Sequence, residues 1–204
     1  MIIVDAEQGS EEWHLSRCGR ATASEFSSVL AKGQGKTRLA YLRRVAAERL
    51  TGKPTETYKN GHMDRGTAQE PFARMSYEAT TGNFVEQIGF IQHDDLMAGC
   101  SPDGLVSSDG CVEIKSVIPT VQFETVLAGN YPSEHRAQLM GALWITGRQW
   151  IDFCSYSQDM PANLRTYIFR VSRDEEYITK LAAEVTVFLK EVDSLILELE
   201  RKTA

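Results

Sequence analysis

The spacing of apolar residues changes along the chain and predicts an α/β protein. Spacings of three and four residues predict helices that begin after Ser10 and after Thr22, and helices within 37–52, 66–82, 119–129, 133–147 and from about 173 onward. Alternating or short apolar runs predict strands at about 84–92, 96–101, 111–117, 148–157 and 164–172. This order of helices, three strands, helices, two strands and a helix is typical of a small mixed sheet flanked by helices.

Local signals predict the ends and faces of some of these helices. Thr22 and Glu25 have the spacing of a capping box, in which each side chain bonds the backbone N–H of the other residue. Pro71 lacks a backbone N–H and predicts a distortion or restart of its helix. Gly52 predicts the end of the helix at 37–52, whose apolar face comprises Leu39, Leu42, Ala46 and Leu50.

The C-terminal helix carries an apolar seam with alternating steps of three and four residues, as in a heptad repeat. The seam comprises Ile178, Leu181, Val185, Phe188, Val192, Leu195 and Leu199. Because the repeat is short, we favour packing of this helix on its own domain over a coiled coil with a second chain.

Composition and charge narrow the class of protein. With 204 residues, 42% hydrophobic and 25% charged, the chain fits one soluble globular domain spanning 1–204. It contains no apolar run of membrane-spanning length, and its N-terminal segment lacks the features of a secretory signal. Four scattered cysteines without CxxC spacing indicate reduced thiols in the cytoplasm. The net charge of −6 argues against electrostatic coating of nucleic acid, but not against an acidic site that binds a cation.

Positive charge is concentrated between residues 32 and 53. The basic residues of this run are Lys32, Lys36, Arg38, Arg43, Arg44, Arg49 and Lys53. We favour a solvated helix face here, with a flexible basic loop near DNA as the alternative. The tripeptide Gly35-Lys36-Thr37 matches the end of a phosphate-binding P-loop, but the required earlier glycine is replaced by Leu30. Since the segment also follows a predicted helix where the motif needs a strand, we reject a P-loop.

The segment CSPDGLVSSDGCVEIKS, residues 100–116, admits two interpretations. It fits a β-hairpin with a turn, a Ser/Asp/Gly loop and two strands. It also fits a metal site, because Asp103, Glu113 and the Ile114 backbone carbonyl supply the oxygen ligands that Mg²⁺ prefers. Successive side chains of a strand point to opposite faces, so Lys115 shares a face with Glu113 and could orient a water or stabilise phosphate charge. Both interpretations stay open on this segment alone.

Five motifs in a fixed order carry a resemblance that goes beyond this segment. "EWHLSRCGRATASEF" near the start is followed by "RGTAQEP", "CSPDGLV", "VEIKS" and "HRAQLMGALWITG". Asp103, Glu113 and Lys115 resemble the PD-(D/E)xK nuclease motif, and the full order resembles the lambda exonuclease family of phage-type recombination exonucleases. The resemblance runs from about Trp13 to Trp150 and implies a PD-(D/E)xK restriction-endonuclease-like core.

The resemblance also implies roles for the matched residues. The catalytic residues would be Asp103, Glu113, Lys115, Glu70 and Gln138. Asp103 and Glu113 would bind metal with the Ile114 carbonyl, Lys115 would be the catalytic lysine, and Gln138 would help to order the nucleophilic water. A pocket for the 5′-phosphate would comprise Arg17, Ser24 and Ser101. An arginine fork with two hydroxyls suits a phosphate group.

The implied activity is Mg²⁺-dependent digestion of linear double-stranded DNA from the 5′ end. The resemblance implies two Mg²⁺ ions, which Mn²⁺ can replace, release of mononucleotides and a remaining 3′ single-stranded overhang. It implies a preference for 5′-phosphorylated DNA, a homotrimeric ring around the DNA, and a single-strand annealing protein as partner. In such a ring the basic run would line the channel, and the C-terminal seam could serve the trimer or the partner. The place of action would be the cytoplasm of a bacterial host, with a phage or prophage gene.

Two other functions are compatible with parts of the sequence. A PD-(D/E)xK endonuclease of restriction or repair type would share the metal site but would need neither a phosphate pocket nor a free DNA end. A non-catalytic DNA-binding module would have lost its site. The presence of all five candidate catalytic residues speaks against that second alternative.

Overall fold

Two mixed β-sheets organise the residues described by the computed structural model, which are 2–31, 36–55 and 61–203. With strands numbered along the chain, the four-stranded sheet has the order β1-β4-β5-β2, formed by Ile2–Val4, Phe90–Gln92, Ala98–Cys100 and Ala21–Thr22. The five-stranded sheet has the order β3-β6-β7-β8-β9, formed by Val85–Glu86, Gly104–Val106, Gly110–Ser116, Trp150–Tyr156 and Thr166–Ser172.

The helices of the described residues flank these sheets. They are α1 (Glu11–Arg17), α2 (Phe26–Leu30), α3 (Lys36–Thr51), α4 (Gly61–Thr81), α5 (Pro119–Ala128), α6 (Arg136–Thr146) and α7 (Glu175–Thr203). Short 3-10 turns at Ala23–Glu25 and Ser133–His135 lead into α2 and α6. The predicted α/β class, with a small mixed sheet flanked by helices, is confirmed. None of the described helices has the length and apolarity needed to cross a membrane.

Strand β7 lies in the middle of the five-stranded sheet. It pairs antiparallel with β6 on one side and parallel with β8 on the other. The β6–β7 pair is a hairpin, so the hairpin interpretation of 100–116 is correct as local structure. Because a parallel pair needs a long crossover, α5 and α6 connect β7 to β8 and bring α6 back towards β7.

The C-terminal seam packs on the protein's own domain, as favoured from the sequence. Ile178, Leu181, Val185, Phe188 and Val192 are buried in the larger apolar cluster, and Leu195 packs against it. Leu199 lies beyond this contact and is 44% exposed. The seam therefore belongs to the core along most of its length, because burial of apolar surface stabilises this packing.

Three arginines of the basic run form ion pairs with acidic residues on other elements. Ion pairs join Arg38 to Glu191 at 2.6 Å, Arg44 to Glu25 at 2.7 Å and Arg49 to Asp193 at 2.5 Å. These three arginines therefore lie neither on a free solvated face nor on a channel wall with unpaired charge. Lys36, Arg43 and Lys53 are exposed, whereas Lys32, and Gly35 of the rejected P-loop, fall outside the described residues.

Two local predictions for the helices are wrong, and a third is wrong in part. Thr22 makes no side-chain capping bond, because its hydroxyl pairs with that of Ser24 at 3.3 Å. Pro71 does not restart its helix, because α4 continues through it as one helix, and the alternative of a distortion at Pro71 stays a prediction. Leu39 and Leu50 are 46% and 49% exposed, since α3 instead buries Tyr41, Leu42, Val45 and Ala46.

The predicted strand at 84–92 is two strands that belong to different sheets. β3 pairs with β6, whereas β4 pairs with β1 and β5. The chain passes between the sheets at Gly89, where a Cβ would meet the Ala6 carbonyl oxygen at 2.2 Å. Strands β1 and β2 were missed because two or three residues are too few to show a period of two.

Candidate active site

Strand β7 presents Glu113 and Lys115 on one face. Val112 and Ile114 are buried in the smaller apolar cluster on the other face, so alternation turns Glu113 and Lys115 away from it. Glu113 is 3% exposed, and the Lys115 ammonium donates to Glu113 Oε1 at 2.7 Å. The two side chains share a face of the strand, as the alternation along β7 predicts.

Asp103 is held against the same strand. It lies between β5 and β6, and its backbone N–H donates to the Val112 carbonyl at 3.1 Å. Its Oδ2 accepts a bond from the Ile114 N–H at 2.5 Å. These two bonds fix Asp103 beside Glu113, and they require the register of β7 that the hairpin sets.

The electrostatics of the two carboxylates favour a cation. Loss of solvent raises the pKa of Asp103 well above its usual range, and the neighbouring charge of Glu113 raises it further. A divalent metal would relieve the raised pKa of Asp103, because the metal needs deprotonated oxygen ligands and its charge offsets that of the neighbouring Glu113. Among the described residues no three Asp, Glu, His or Cys side chains converge as a metal cluster. The oxygen atoms that could hold a divalent cation here are those of Asp103, Glu113 and the Ile114 carbonyl, and water could complete its shell.

Helix α6 adds Gln138 to this centre. Its Nε2 donates to Glu113 Oε1 at 2.5 Å, the same oxygen that Lys115 contacts. Burial alone would lower the pKa of Lys115, but the charges of Glu113 and Asp103 outweigh it and raise the pKa. Lys115 is therefore a cation at neutral pH, suited to orienting a water or stabilising phosphate charge rather than to removing a proton.

Glu70 lies at the edge of this group. It is half-buried on α4, and its carboxylate is 3.7 Å from Arg74, one helical turn away. Glu70 and Asp103 line the same open cleft of about 520 Å³, and the charge of Glu70 contributes to the raised pKa of Asp103. The structure thus brings Glu70 near Asp103, but it does not give Glu70 a direct contact with Glu113, Lys115 or Gln138.

The three residues expected to bind a 5′-phosphate lie together. Arg17 ends α1, and its two terminal nitrogens donate to Ser101 Oγ at 3.3 Å and to Ser24 Oγ at 3.4 Å. Its guanidinium lies over the Trp13 ring at 4.0 Å. Trp13 also donates its indole N–H to Ser101 Oγ at 3.0 Å. Ser10 fixes the start of α1 by accepting a bond from the Trp13 backbone N–H.

This arginine carries a charge that the described residues do not neutralise. Burial lowers the pKa of Arg17, and within the described residues Arg17 forms no ion pair. A desolvated guanidinium with two hydroxyl neighbours is a favourable place for an anion such as phosphate.

A small cavity joins the arginine group to the carboxylate centre. Its volume is about 20 Å³, enough for a water molecule. Its walls are Arg17, Thr22, Ala23, Ser24, Cys100, Ser101, Pro102, Glu113, Gln138 and Ala142. The two predicted sites are therefore neighbours, although their residues are far apart in sequence.

Some contributors to this region were missed from the sequence. Thr22 and the buried Cys100 line the cavity, and Gln8 bonds the chain beside Asp103. Thr22 was interpreted only as a cap, and Cys100 only as a reduced thiol. No spacing rule identifies Gln8, because its partners are main-chain carbonyls from distant segments.

The class of nuclease folds that these features define is PD-(D/E)xK, as predicted: the central strand of a mixed sheet carries a Glu and a Lys, and an Asp that precedes them in sequence is held against that strand. The chain belongs to the YqaJ-like viral recombinase family, whose domain profile matches residues 12–149. The resemblance to lambda-type exonucleases is thereby confirmed. A comparison with curated protein sequences gave no significant match.

Solved structures agree with this assignment. The alkaline exonuclease LHK-Exo from Laribacter hongkongensis is 36% identical, with a TM-score of 0.88 over 95% of this chain and 98% of that one. LHK-Exo in complex with dAMP superposes with a TM-score of 0.89 over the same shares. A phage related exonuclease from Haemophilus somnus 129PT, 16% identical, has a TM-score of 0.69 over 88% of this chain and 96% of that one, and supports the fold alone.

Proposed function

We propose that residues 1–204 act as one nuclease domain, a Mg²⁺-dependent exonuclease that digests one strand of linear double-stranded DNA from its 5′ end to mononucleotides. One observation carries this proposal: the cavity whose wall holds both the Arg17–Ser24–Ser101 group and the Glu113–Gln138 pair. A terminal phosphate held by the arginine group would bring the next phosphodiester towards the carboxylates. Such an arrangement ties cleavage to a free end.

Each side chain of the centre has a role that its contacts support. Asp103, Glu113 and the Ile114 carbonyl would hold Mg²⁺, with two ions proposed and Mn²⁺ as a substitute. The metal would supply Lewis-acid activation of water and of the scissile phosphate. Lys115 and Gln138 both reach Glu113 Oε1, so they can order a water beside that oxygen.

Two further side chains of the carboxylate centre, Lys115 and Glu70, would act on the phosphate and on water. Lys115 remains protonated and would stabilise the negative charge that develops on the phosphate. Glu70, which lies towards the open cleft, would bind or orient water from that side. These roles rest on the positions of the side chains.

Relatives support the finer features of the proposal. LHK-Exo has been solved with dAMP, a mononucleotide, which supports mononucleotide release by this chain. The family of viral recombinases supports a role in recombination, in which the remaining 3′ overhang would pass to a single-strand annealing protein. We further propose a homotrimeric ring, and action in the cytoplasm of a bacterial host from a phage or prophage gene.

The test is degradation of linear duplex DNA with Mg²⁺, comparing 5′-phosphate and 5′-hydroxyl ends and including a covalently closed circle. Lys115→Ala protein, prepared in the same way, controls for contaminating nucleases. Labels at the 5′ or the 3′ end report polarity, and chromatography of the products detects mononucleotides. Rapid loss of the phosphorylated linear DNA, absent in the variant, is the expected result.

Other results would select the alternatives. Cutting of the closed circle would favour an endonuclease and would contradict the end-dependent mechanism. DNA binding without cleavage under any divalent metal would favour a non-catalytic module. Equal rates on both 5′ ends would contradict a role of the arginine group in recognising the 5′-phosphate. They would not contradict the proposed metal site.

A further inference from the structure

The segment Ser101–Pro102–Asp103 connects the two halves of the site. Ser101 accepts bonds from Arg17 and Trp13 in the arginine group, and Asp103 contacts β7 beside Glu113. Only buried Pro102 lies between these two residues. The position of this short segment therefore sets the distance between phosphate recognition and the carboxylate centre.

Gln8 holds this segment from the N-terminal side. Its Nε2 donates to the Pro102 carbonyl at 3.0 Å and to the Ile88 carbonyl at 2.9 Å. The two bonds use both hydrogens of the amide, and they link the N-terminal segment to two segments that lie 80 and 94 residues further along the chain. Gln8 also lines the open cleft that Asp103 and Glu70 share.

The backbone around Gln8 is fixed independently of its side chain. Strand β1 pairs antiparallel with β4, with Val4 opposite Phe90. Ala6 then packs so closely on Gly89 that a Cβ there would meet the Ala6 carbonyl oxygen at 2.2 Å. Since the main chain just before Gln8 is anchored, its amide has a firm base from which to position the Pro102 carbonyl.

We propose that Gln8 is a positioning residue, which fixes the Ser101–Pro102–Asp103 segment and so sets the spacing between the 5′-phosphate pocket and the first metal-binding carboxylate. This inference rests on the proposed function, because it gives Gln8 a role only if Asp103 binds metal and Ser101 faces the phosphate. Gln8 itself would contact neither the metal nor the phosphate.

The test compares Gln8→Met, which keeps the chain length but lacks N–H donors, with Gln8→Asn, which keeps the amide on a shorter chain. Gln149→Met is the matched control, since Gln149 is an exposed glutamine that also bonds a main-chain carbonyl, at 3.5 Å, outside the site. The first readout is the affinity for Mg²⁺ in the absence of DNA, which is measured by calorimetry and by the metal-induced rise in melting temperature. The second is kcat and KM on 5′-phosphorylated and 5′-hydroxyl duplexes.

We expect Gln8→Met to weaken Mg²⁺ binding by about tenfold, a typical effect of losing a residue that orients a metal ligand. We also expect a fall in kcat with little change in KM, a smaller preference for phosphorylated ends, an intermediate effect of Gln8→Asn, and no effect of Gln149→Met. If Gln8→Met fails to fold, Gln8→Asn carries the comparison.

A purely structural role would lower the melting temperature without changing metal affinity or end preference, and that result would overturn the proposal. Absence of Mg²⁺ binding by the wild-type protein would overturn it as well. Because the metal titration contains no DNA, normal Mg²⁺ binding combined with inactivity on DNA would contradict the exonuclease and leave the effect of Gln8 on the metal site measurable.

Discussion

Replacing Arg17 by lysine is expected to abolish most of the advantage of a 5′-phosphorylated end. The guanidinium lies at 4.0 Å over the Trp13 ring and directs its two terminal nitrogens to Ser101 and Ser24. Lysine keeps a positive charge but has no planar fork, so it cannot contact two oxygens of a phosphate in this geometry. The perturbation therefore removes a directed bond while it preserves the charge.

The magnitude follows from the energy of one charge-assisted hydrogen bond. Such a bond contributes about 1.5–3 kcal/mol. With a factor of ten for each ~1.4 kcal/mol, kcat/KM on 5′-phosphorylated DNA should fall roughly 10- to 150-fold. The value on 5′-hydroxyl DNA should change little, because that end offers no anion to the fork. The burial that lowers the pKa of Arg17, and the absence of an ion pair to Arg17 within the described residues, place the effect in the upper part of this range.

The assay is steady-state digestion of two duplexes that differ only at the 5′ end, with Arg201→Ala as the control. Arg201 is an exposed cation near the end of α7, so its removal changes net charge without touching the site. An equal loss of kcat/KM on both duplexes would refute the reasoning, since it would assign Arg17 a general role in folding or DNA attraction. A Tm close to that of the wild type would complete the control.

The remaining predictions concern catalysis, pH and stability. Lys115→Met should reduce kcat by ~10²- to 10⁴-fold, the range for a catalytic proton-transfer or charge-stabilising group, with DNA binding retained in a filter assay; a normal rate would exclude Lys115 from the chemistry. The Mg²⁺ concentration for half-maximal rate should fall as pH rises above the ordinary carboxyl range. The reason is that Asp103, whose pKa is raised, must lose its proton before it can bind the metal. A pH-independent value would contradict this prediction. Tyr77→Phe should lower the free energy of unfolding in urea by about 1–3 kcal/mol, since it removes the 2.7 Å bond to buried Asp152, whereas Tyr167→Phe should have little effect.

The basic run illustrates how a charge pattern is reinterpreted by packing. The sequence predicts that Arg38, Arg44 and Arg49 lie on a solvated helix face, yet each has an acidic partner on α7 or before α2. Their value as a DNA-binding face is reduced, because a phosphate would have to compete with a carboxylate already in place. If DNA approaches α3, the exposed Lys36, Arg43 and Lys53 are the candidates for contact.

Local patterns in the sequence determined most of the fold and the centre of the site. The apolar spacing of the C-terminal segment determined which face of α7 is buried, since an amphipathic helix has one favourable orientation on a core. The alternation along β7 determined that Glu113 and Lys115 share a face, whatever the sheet around them. The order of motifs determined the family, and with it the expectation that Asp103, Arg17 and their neighbours act together.

Tertiary structure alone decided which distant residues meet. The meeting of Arg17 and Ser101 with Glu113 and Gln138 at one cavity depends on how α1, α6 and β7 pack, and no local period encodes that arrangement. The split of 84–92 between two sheets and the link from Gln8 to Pro102 have the same origin. The physical reason is that side-chain periodicity reports the local environment of a segment, whereas partners across the fold are chosen by the packing of the whole chain.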